Sequence, residues 1–244
     1  MNTFFLDRLN SEPHALAFAG QSTPWPVALA DQSANPALDE ALHTHAAAAQ
    51  ALLYPVSAEL LATTGRPVDL FGFEPNPARL GAAAAASASV PGIALTQLGA
   101  LLDAAALGYN PAQAKPVAVL GHSQGVLAVH MVQAICEAGS IDAAAAKIDE
   151  ILAIATLIGV AGTRQARQLG LAARHGEATP MLSVKDITRA QVDALIERVD
   201  GARGPIAVAV TNSATHYVLS GYPEDLAAFG VEVAKEHKRQ AKLR

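Results

Sequence analysis

The chain has 244 residues, of which 51% are hydrophobic and 16% charged, and its formal net charge is −5. That length allows one large domain or two modest ones, each with a sizeable core. The net negative charge excludes a broad basic surface for nucleic acid. The one basic cluster, at 235–244, is typical of a solvated helix end.

A single cysteine, Cys136, excludes an intrachain disulfide and fits a reducing cytoplasm. Its place in an apolar helical pattern predicts a small core residue. Residues 1–14 lack the basic-then-apolar pattern of a secretory signal, and polar residues interrupt the alanine-rich runs before they could span a membrane. We therefore expect a cytoplasmic protein with no membrane partner.

The first part of the chain alternates predicted strands and helices, which favours a parallel sheet covered by helices on both faces. In chain order the predicted elements are a strand over 14–20, helices over 35–61 and 89–108, a strand over 116–120, and helices over 124–137 and 149–168. Pro55 marks a kink or a break in the first of these helices.

The pattern changes near Gly176. The elements predicted after it are a strand over 179–184, a helix over 188–199 capped by Thr188, strands over 206–213 and 216–221, and a helix over 223–240. This β-α-β-β-α order is typical of a small ferredoxin-like subdomain. The sequence thus predicts an α/β core over 1–175 and a ferredoxin-like α+β subdomain over 176–244.

The motif Gly-His-Ser-Gln-Gly, at 121–125, lies between a predicted strand and a predicted helix. In that context G-x-S-x-G predicts a nucleophile elbow, a tight turn that demands small flanking residues and pushes the serine hydroxyl outward. Ser123 is then the candidate nucleophile, and the backbone N–H of Gln124 is the expected oxyanion donor. The alternative is a glycine-rich connection without catalysis. A phosphate-binding loop is disfavoured because no lysine lies near the turn.

Further segments extend the motif into a family resemblance. They are GHSQGVLA, FAGQSTPW after the first strand, SVPGIALTQL before the elbow, LIGVAG after it, and VTNSATHYVLSG. The chain resembles the acyltransferase family that includes malonyl-CoA:ACP transacylase, and most of all the N-terminal acetyltransferase domain of bacterial type I fatty acid synthases. The resemblance implies an α/β-hydrolase-like core with a parallel sheet plus an inserted ferredoxin-like subdomain. It also implies that Ser123 accepts the acyl group and that Gln21 supplies a second oxyanion N–H.

The resemblance bears on the acyl group too. Family members that take malonyl carry an arginine on a helix after the serine, where it pairs with the free carboxylate. The matching residue is Ile158, which cannot neutralise a buried carboxylate, so a neutral group, most simply acetyl, is predicted. The alternative is that Arg164 or Arg167 enters the pocket. The resemblance further implies that His122 shapes the pocket and that Asn212 lies close to the substrate.

The same resemblance implies that the substrate is a CoA thioester and that no cofactor or metal is bound. The implied partners are acyl carrier protein and the remaining domains of a type I fatty acid synthase. The resemblance also implies a homo-oligomer and a role in priming fatty acid synthesis. The family's general base is a histidine after the ferredoxin-like insert, a segment this sequence does not include. None of the seven histidines outside the motif is expected to replace it, so we expect a fragment that is nearly inactive alone. A lipase- or esterase-type hydrolase and a non-catalytic segment of a large synthase are the alternatives.

Overall fold

The computed structural model describes residues 8–20, 24–52, 70–71, 86–168, 181–199 and 204–242. The chain divides into two units, Met1–Arg167 and Gln168–Arg244. Each unit has its own cluster of buried apolar side chains.

The first unit is mostly helical. Its elements are strand β1 (Ala15–Phe18), helices α1 (Trp25–Ser33), α2 (Pro36–Leu52), α3 (Ala86–Ala106) and α4 (Pro111–Ala114), strand β2 (Ala118–Gly121), a 3₁₀ turn (Ser123–Gly125), and helices α5 (Val126–Ala138) and α6 (Ile141–Gln168). The helix predicted over 35–61 is described only as far as Leu52, so Pro55 lies outside the described residues.

Strands β1 and β2 pair in parallel, in a register that runs from Ala15 opposite Ala118 to Phe18 opposite Gly121. Leu16, Phe18 and Val119 point to one face and pack against the core. The opposite face carries Ala17 and Leu120, which are exposed. Within the described residues, therefore, one face of this sheet is covered rather than the two that the sequence predicts.

Helix α3 is the centre of the first unit. Its Ile93, Leu95 and Leu98 are fully buried. It is long and apolar enough to span a membrane by length and composition, but 72% of that stretch is buried inside the protein, as in a core helix. The helix begins at Ala86, earlier than predicted, so Pro91 lies in its second turn rather than in its first. Proline near the start of a helix removes a single backbone hydrogen bond, which the surrounding packing offsets.

Two further expectations for this unit are wrong. Helix α6 begins at Ile141 rather than Asp149, because the alanines over 143–146 are strong helix formers and extend it toward its N-terminus. Cys136 is exposed rather than in the core. Partial burial, together with the neighbouring Glu137 carboxylate, raises the pKa of the Cys136 thiol, which disfavours the reactive thiolate.

The second unit has a sheet with helices on one face. Its elements are β3 (Met181–Lys185), α7 (Arg189–Val199), β4 (Ala207–Ser213), β5 (His216–Ser220) and α8 (Pro223–Lys242). The strand order is β3-β5-β4, with both pairs antiparallel. Thr188 and Gln191 form a reciprocal capping box, in which the Thr188 backbone N–H donates to Gln191 Oε1 at 2.9 Å. The predicted α/β class, with a small α+β unit after the core, is confirmed.

The packing of α3 on α1 predicts the effect of a single methyl group. A Cβ on Gly92 would lie 2.5 Å from Cδ2 of Trp25, the chain's only tryptophan, which is 3% exposed. Gly92→Ala should lower the free energy of unfolding by about 1–3 kcal/mol through overpacking, and should shift the Trp25 emission. Urea unfolding followed by tryptophan fluorescence measures both effects.

Gly162→Ala is the matched control. Its Cβ would lie 3.4 Å from the Ala86 side chain, at an exposed helical position where alanine gains up to about 1 kcal/mol in helix propensity. Equal destabilisation by the two substitutions would contradict this packing.

Candidate active site

The motif at 121–125 forms a tight junction between β2 and α5. Ser123 has φ +54°, the left-handed conformation that L-residues other than glycine seldom adopt. The His122 N–H donates to the Phe18 carbonyl oxygen at 3.0 Å, which ties the junction to the end of β1. Ser123 itself is exposed. A strained backbone that presents an exposed hydroxyl is the geometry expected of a nucleophile elbow.

Two glycines make this turn possible. A Cβ on Gly121 would lie 2.5 Å from the Gly125 carbonyl oxygen, and one on Gly125 would collide with the Phe18 carbonyl. Neither obstacle can rotate away, because both are backbone. The glycines two residues before and two after Ser123 are therefore required by the close approach of strand, turn and helix.

The loop after β1 lies directly against the elbow. A Cβ on Gly20 would lie 2.8 Å from Ser123 Cβ and 3.4 Å from the backbone nitrogen of Gln124. Gln21 lies outside the described residues, so its role as a second oxyanion donor stays a prediction, although its neighbour Gly20 lies at the elbow. The Gly125 N–H donates to the His122 carbonyl at 2.9 Å and is thereby occupied.

A buried glutamine on α3 supports that loop. Gln97, 8% exposed, donates from Nε2 to the Ala19 carbonyl oxygen at 2.6 Å. The Oε1 atoms of Gln97 and Gln124 are both buried and, among the described residues, neither accepts a hydrogen bond. Sequence reasoning missed Gln97. The available signal was one amide side chain within the apolar run SVPGIALTQL.

Helix α6 carries the residue proposed to select the acyl group. Ile158 is 52% exposed, and Ile154 and Leu157 beside it are exposed as well, so they form an apolar stripe at helical spacing. Ile158 is therefore not part of the buried core of the first unit. Helix α6 is anchored to α3 by Thr163 Oγ1, which accepts from the Ser87 backbone N–H at 2.9 Å.

The other predicted pocket residues of the first unit are placed as follows. His122 is exposed. Arg164 is half-buried, and the side chain of Arg167 lies outside the described part of the chain. The roles of these residues and of Ser123 stay predictions.

Two of the histidines in the first unit have other partners. His14 Nε2 lies 2.8 Å from the Tyr109 hydroxyl, and His45 Nδ1 lies 2.6 Å from Asp149 Oδ1. Among the described residues, the Ser123 hydroxyl makes no hydrogen bond to a histidine. The position of the general base therefore stays a prediction.

In the second unit, Asn212 lies on β4 and is exposed. Its Nδ2 lies 3.4 Å from His216 Nε2, which also lies 2.9 Å from Ser183 Oγ. The Asn212 side chain is therefore part of a polar group on the sheet of that unit.

Comparison with known proteins identifies relatives. The sequence profile described as "Starter unit:ACP transacylase in aflatoxin biosynthesis" matches residues 74–244. The fatty acid synthase beta subunit hexB of Dothistroma septosporum is 30% identical over 128 residues, which are 47% of this chain and 7% of that protein.

Solved structures show the same fold at low identity. The acyl-carrier-protein-S-malonyltransferase of Bartonella henselae has a TM-score of 0.50 and 18% identity, over 92% of this chain and 60% of that one. The malonyl CoA-acyl carrier protein transacylase of Coxiella burnetii has a TM-score of 0.53 and 17% identity, over 92% and 58%. A type II polyketide malonyl-transacylase solved with its acyl-carrier protein has a TM-score of 0.53 and 16% identity, over 92% and 60%. The chain thus spans about 60% of the length of these transacylases.

The Gln97 contact predicts a local effect at the elbow. Gln97→Leu should leave the Ala19 carbonyl without its donor and loosen the loop, so that amide hydrogen exchange at Ala19 and Gly20 rises about tenfold. Mass spectrometry of the peptide that contains both residues measures the change.

Gln32→Leu is the matched control, since Gln32 likewise donates from a part-buried amide to a backbone carbonyl, that of Thr96, at 2.9 Å. It should leave exchange at Ala19 and Gly20 unchanged. A similar rise in both variants would show that Gln97 has no special role at the loop.

Proposed function

Because the chain belongs to the starter unit:ACP transacylase family, we propose that it transfers an acyl group from CoA to acyl carrier protein through an ester on Ser123. The observation that carries the proposal is the left-handed, exposed Ser123 at the strand–helix junction, packed against Gly20. The relationship to a fatty acid synthase beta subunit supports a place among the other domains of such a synthase.

The reaction proceeds in two half-reactions. Ser123 Oγ attacks the thioester carbonyl carbon, the carbon–sulfur bond breaks, and CoA leaves as its thiol with the proton that the serine gives up. The thiol of the carrier's phosphopantetheine then attacks the ester, the carbon–oxygen bond breaks, and Oγ regains a proton. The Gln124 N–H, with that of Gln21, stabilises the oxyanion in each half.

The proposed acyl group is neutral, most simply acetyl. Transfer of acetyl would give the chain a role in priming fatty acid synthesis. The support is Ile158, where malonyl-selective family members carry arginine, within an apolar stripe that presents no cation. A malonyl carboxylate placed there would lack a charge-assisted partner.

We propose that the general base is a histidine outside this sequence. Among the described residues, the base candidates His14 and His45 are held by Tyr109 and Asp149. The elbow and its amides alone retain part of the catalytic power, as the residual activity of serine enzymes without a base shows. The chain should then acylate once, slowly, and not turn over.

Intact mass after incubation with acetyl-CoA tests the ester. We expect one acetyl group per chain, mapped to Ser123, and less than stoichiometric labelling by malonyl-CoA. Ser123→Ala should abolish the adduct. An adduct that survives this substitution would contradict acylation of Ser123. Rapid release of free acetate would contradict a transacylase and favour a hydrolase.

A substitution on α6 tests the acyl preference. Ile158→Arg should raise the ratio of malonyl to acetyl on Ser123 about fivefold, because a partly exposed ion pair contributes about 1 kcal/mol. Ile154→Arg, one turn earlier and exposed to 50%, is the control and should change the ratio less. An equal malonyl-to-acetyl ratio in the two variants would show that Ile158 does not determine which acyl group is accepted.

A further inference from the structure

A polar side chain lies in the apolar centre of helix α3. Gln97 is 8% exposed, and its neighbours Leu95 and Leu98 on the same helix are fully buried. Transfer of an amide from water into apolar surroundings is unfavourable unless its hydrogen bonds are replaced. Because an apolar side chain of similar volume would avoid that penalty, the packing of the core does not explain a glutamine at this position.

Only one end of the Gln97 amide is hydrogen-bonded among the described residues. Nε2 donates to the Ala19 carbonyl oxygen at 2.6 Å, whereas Oε1 is buried and accepts no hydrogen bond. A buried acceptor without a donor lowers the stability of the fold. Polar groups left in this state are rare in native proteins, and a role at a functional site is one reason for them. The bond to Ala19 is therefore what the glutamine side chain adds at position 97.

The Ala19 carbonyl oxygen lies beside the elbow. A Cβ on Gly125, the last residue of the Gly-His-Ser-Gln-Gly motif, would lie 2.9 Å from this oxygen. Helix α3, which carries Gln97, also contacts the turn Ser123–Gly125 directly. The hydrogen bond thus fixes a carbonyl group that already packs against the end of the turn.

The next residue along the chain, Gly20, packs against the nucleophile. Its Cβ, if it had one, would lie 2.8 Å from Ser123 Cβ and 3.4 Å from the backbone nitrogen of Gln124, the proposed oxyanion donor. A glycine has no side chain to restrict its backbone, so the orientation of the peptide before it matters more. Gln21, the proposed second donor, follows Gly20 directly.

One planar group connects these contacts. The peptide between Ala19 and Gly20 is rigid, so a hydrogen bond that fixes its carbonyl oxygen also fixes the nitrogen of Gly20 and the direction in which the chain enters that residue. Gln97 therefore controls the backbone immediately before one proposed oxyanion donor and against the other.

We propose that Gln97 is a positioning residue for acyl transfer, whose amide fixes the Ala19–Gly20 peptide so that the oxyanion donors are aligned before the substrate binds. The inference rests on the proposed function and deepens it. Donors stabilise developing charge most when they need no rearrangement during the reaction. A shift of about 1 Å in such a group can slow a reaction about a hundredfold. The unsatisfied Oε1 of Gln97 is then the loss of stability that accompanies this placement.

Gln97→Met tests the proposal, because methionine fills a similar space and cannot donate. We expect the maximal rate at which acetyl-CoA acylates Ser123, followed by intact mass over time, to fall about tenfold, with little change in the half-saturating concentration. The urea midpoint of unfolding should not fall, because the substitution also removes the unsatisfied oxygen. An unchanged maximal rate, or a loss explained wholly by the half-saturating concentration, would overturn the proposal.

Gln97→Glu supplies a readout that a structural role would not move. A protonated carboxyl can donate to the Ala19 carbonyl, whereas a carboxylate only accepts. The acylation rate of this variant, divided by that of the unsubstituted chain, should therefore fall as the pH rises from about 5 to about 9, where a buried glutamic acid ionises. Carbon-13 NMR of the introduced carboxyl follows the ionisation. A ratio that stays constant while the carboxyl ionises would contradict the role of the donor.

Gln32→Met is the matched control. Gln32 has the same arrangement as Gln97, since its Nε2 donates to the Thr96 carbonyl oxygen at 2.9 Å and its Oε1 is buried without a donor among the described residues. Its acceptor, however, is a carbonyl of α3 rather than of the loop at the elbow. The substitution should leave the acylation rate unchanged, and equal slowing by both methionine variants would overturn the proposal.

A second reagent separates this proposal from the transacylase proposal. A fluorophosphonate labels an activated serine without a CoA thioester, and it depends on the same oxyanion donors. If acetyl-CoA acylates Ser123 but Gln97→Met changes neither reaction, the positioning role is wrong and the transacylase proposal stands. If acetyl-CoA does not react but Gln97→Met slows the labelling of Ser123, the transacylase proposal is wrong and the positioning role stands. No reaction of the unsubstituted chain with either reagent would overturn both.

Discussion

The close approach of three backbone segments around Ser123 is the constraint on which the first unit depends. The end of β1, the loop at Gly20 and the start of α5 meet at distances that leave no room for a Cβ on Gly20, Gly121 or Gly125. That contact forces Ser123 into the left-handed conformation and exposes its hydroxyl. A conformation that costs about 1–2 kcal/mol is maintained because the surrounding backbone admits no other.

Helix α3 supports the backbone segments around Ser123. It packs on α1 through Gly92 and Trp25, and it supports the loop after β1 through Gln97. Its first turn also binds α6, through the Ser87 N–H and Thr163 Oγ1. The helix that forms the core thus also positions the elements proposed to bind the oxyanion and the acyl group. A core substitution on α3 should therefore affect chemistry as well as stability.

Local chemistry made much of the fold predictable. The strand–glycine–serine–glycine–helix order at 121–125 and the Thr188 cap of α7 are encoded in a few adjacent residues. The start of α6 was missed because four consecutive alanines favour a helix but show no apolar–polar periodicity. Cys136 was misplaced because a helical apolar pattern does not define which side of the helix faces solvent. The hydrogen bonds of Gln97 and of His216 join residues distant in sequence, so a local pattern does not reveal their partners.

We propose that folding itself makes the Ser123 hydroxyl reactive. The most direct measurement is the rate at which a fluorophosphonate labels the native chain, compared with the chain unfolded in urea, with the site located by peptide mapping. We expect labelling of Ser123 alone, at a rate at least about a hundredfold higher in the native chain, because the proposed oxyanion amides are aligned only when the chain is folded. Equal rates in the two states, or a label on another serine of the native chain, would contradict it.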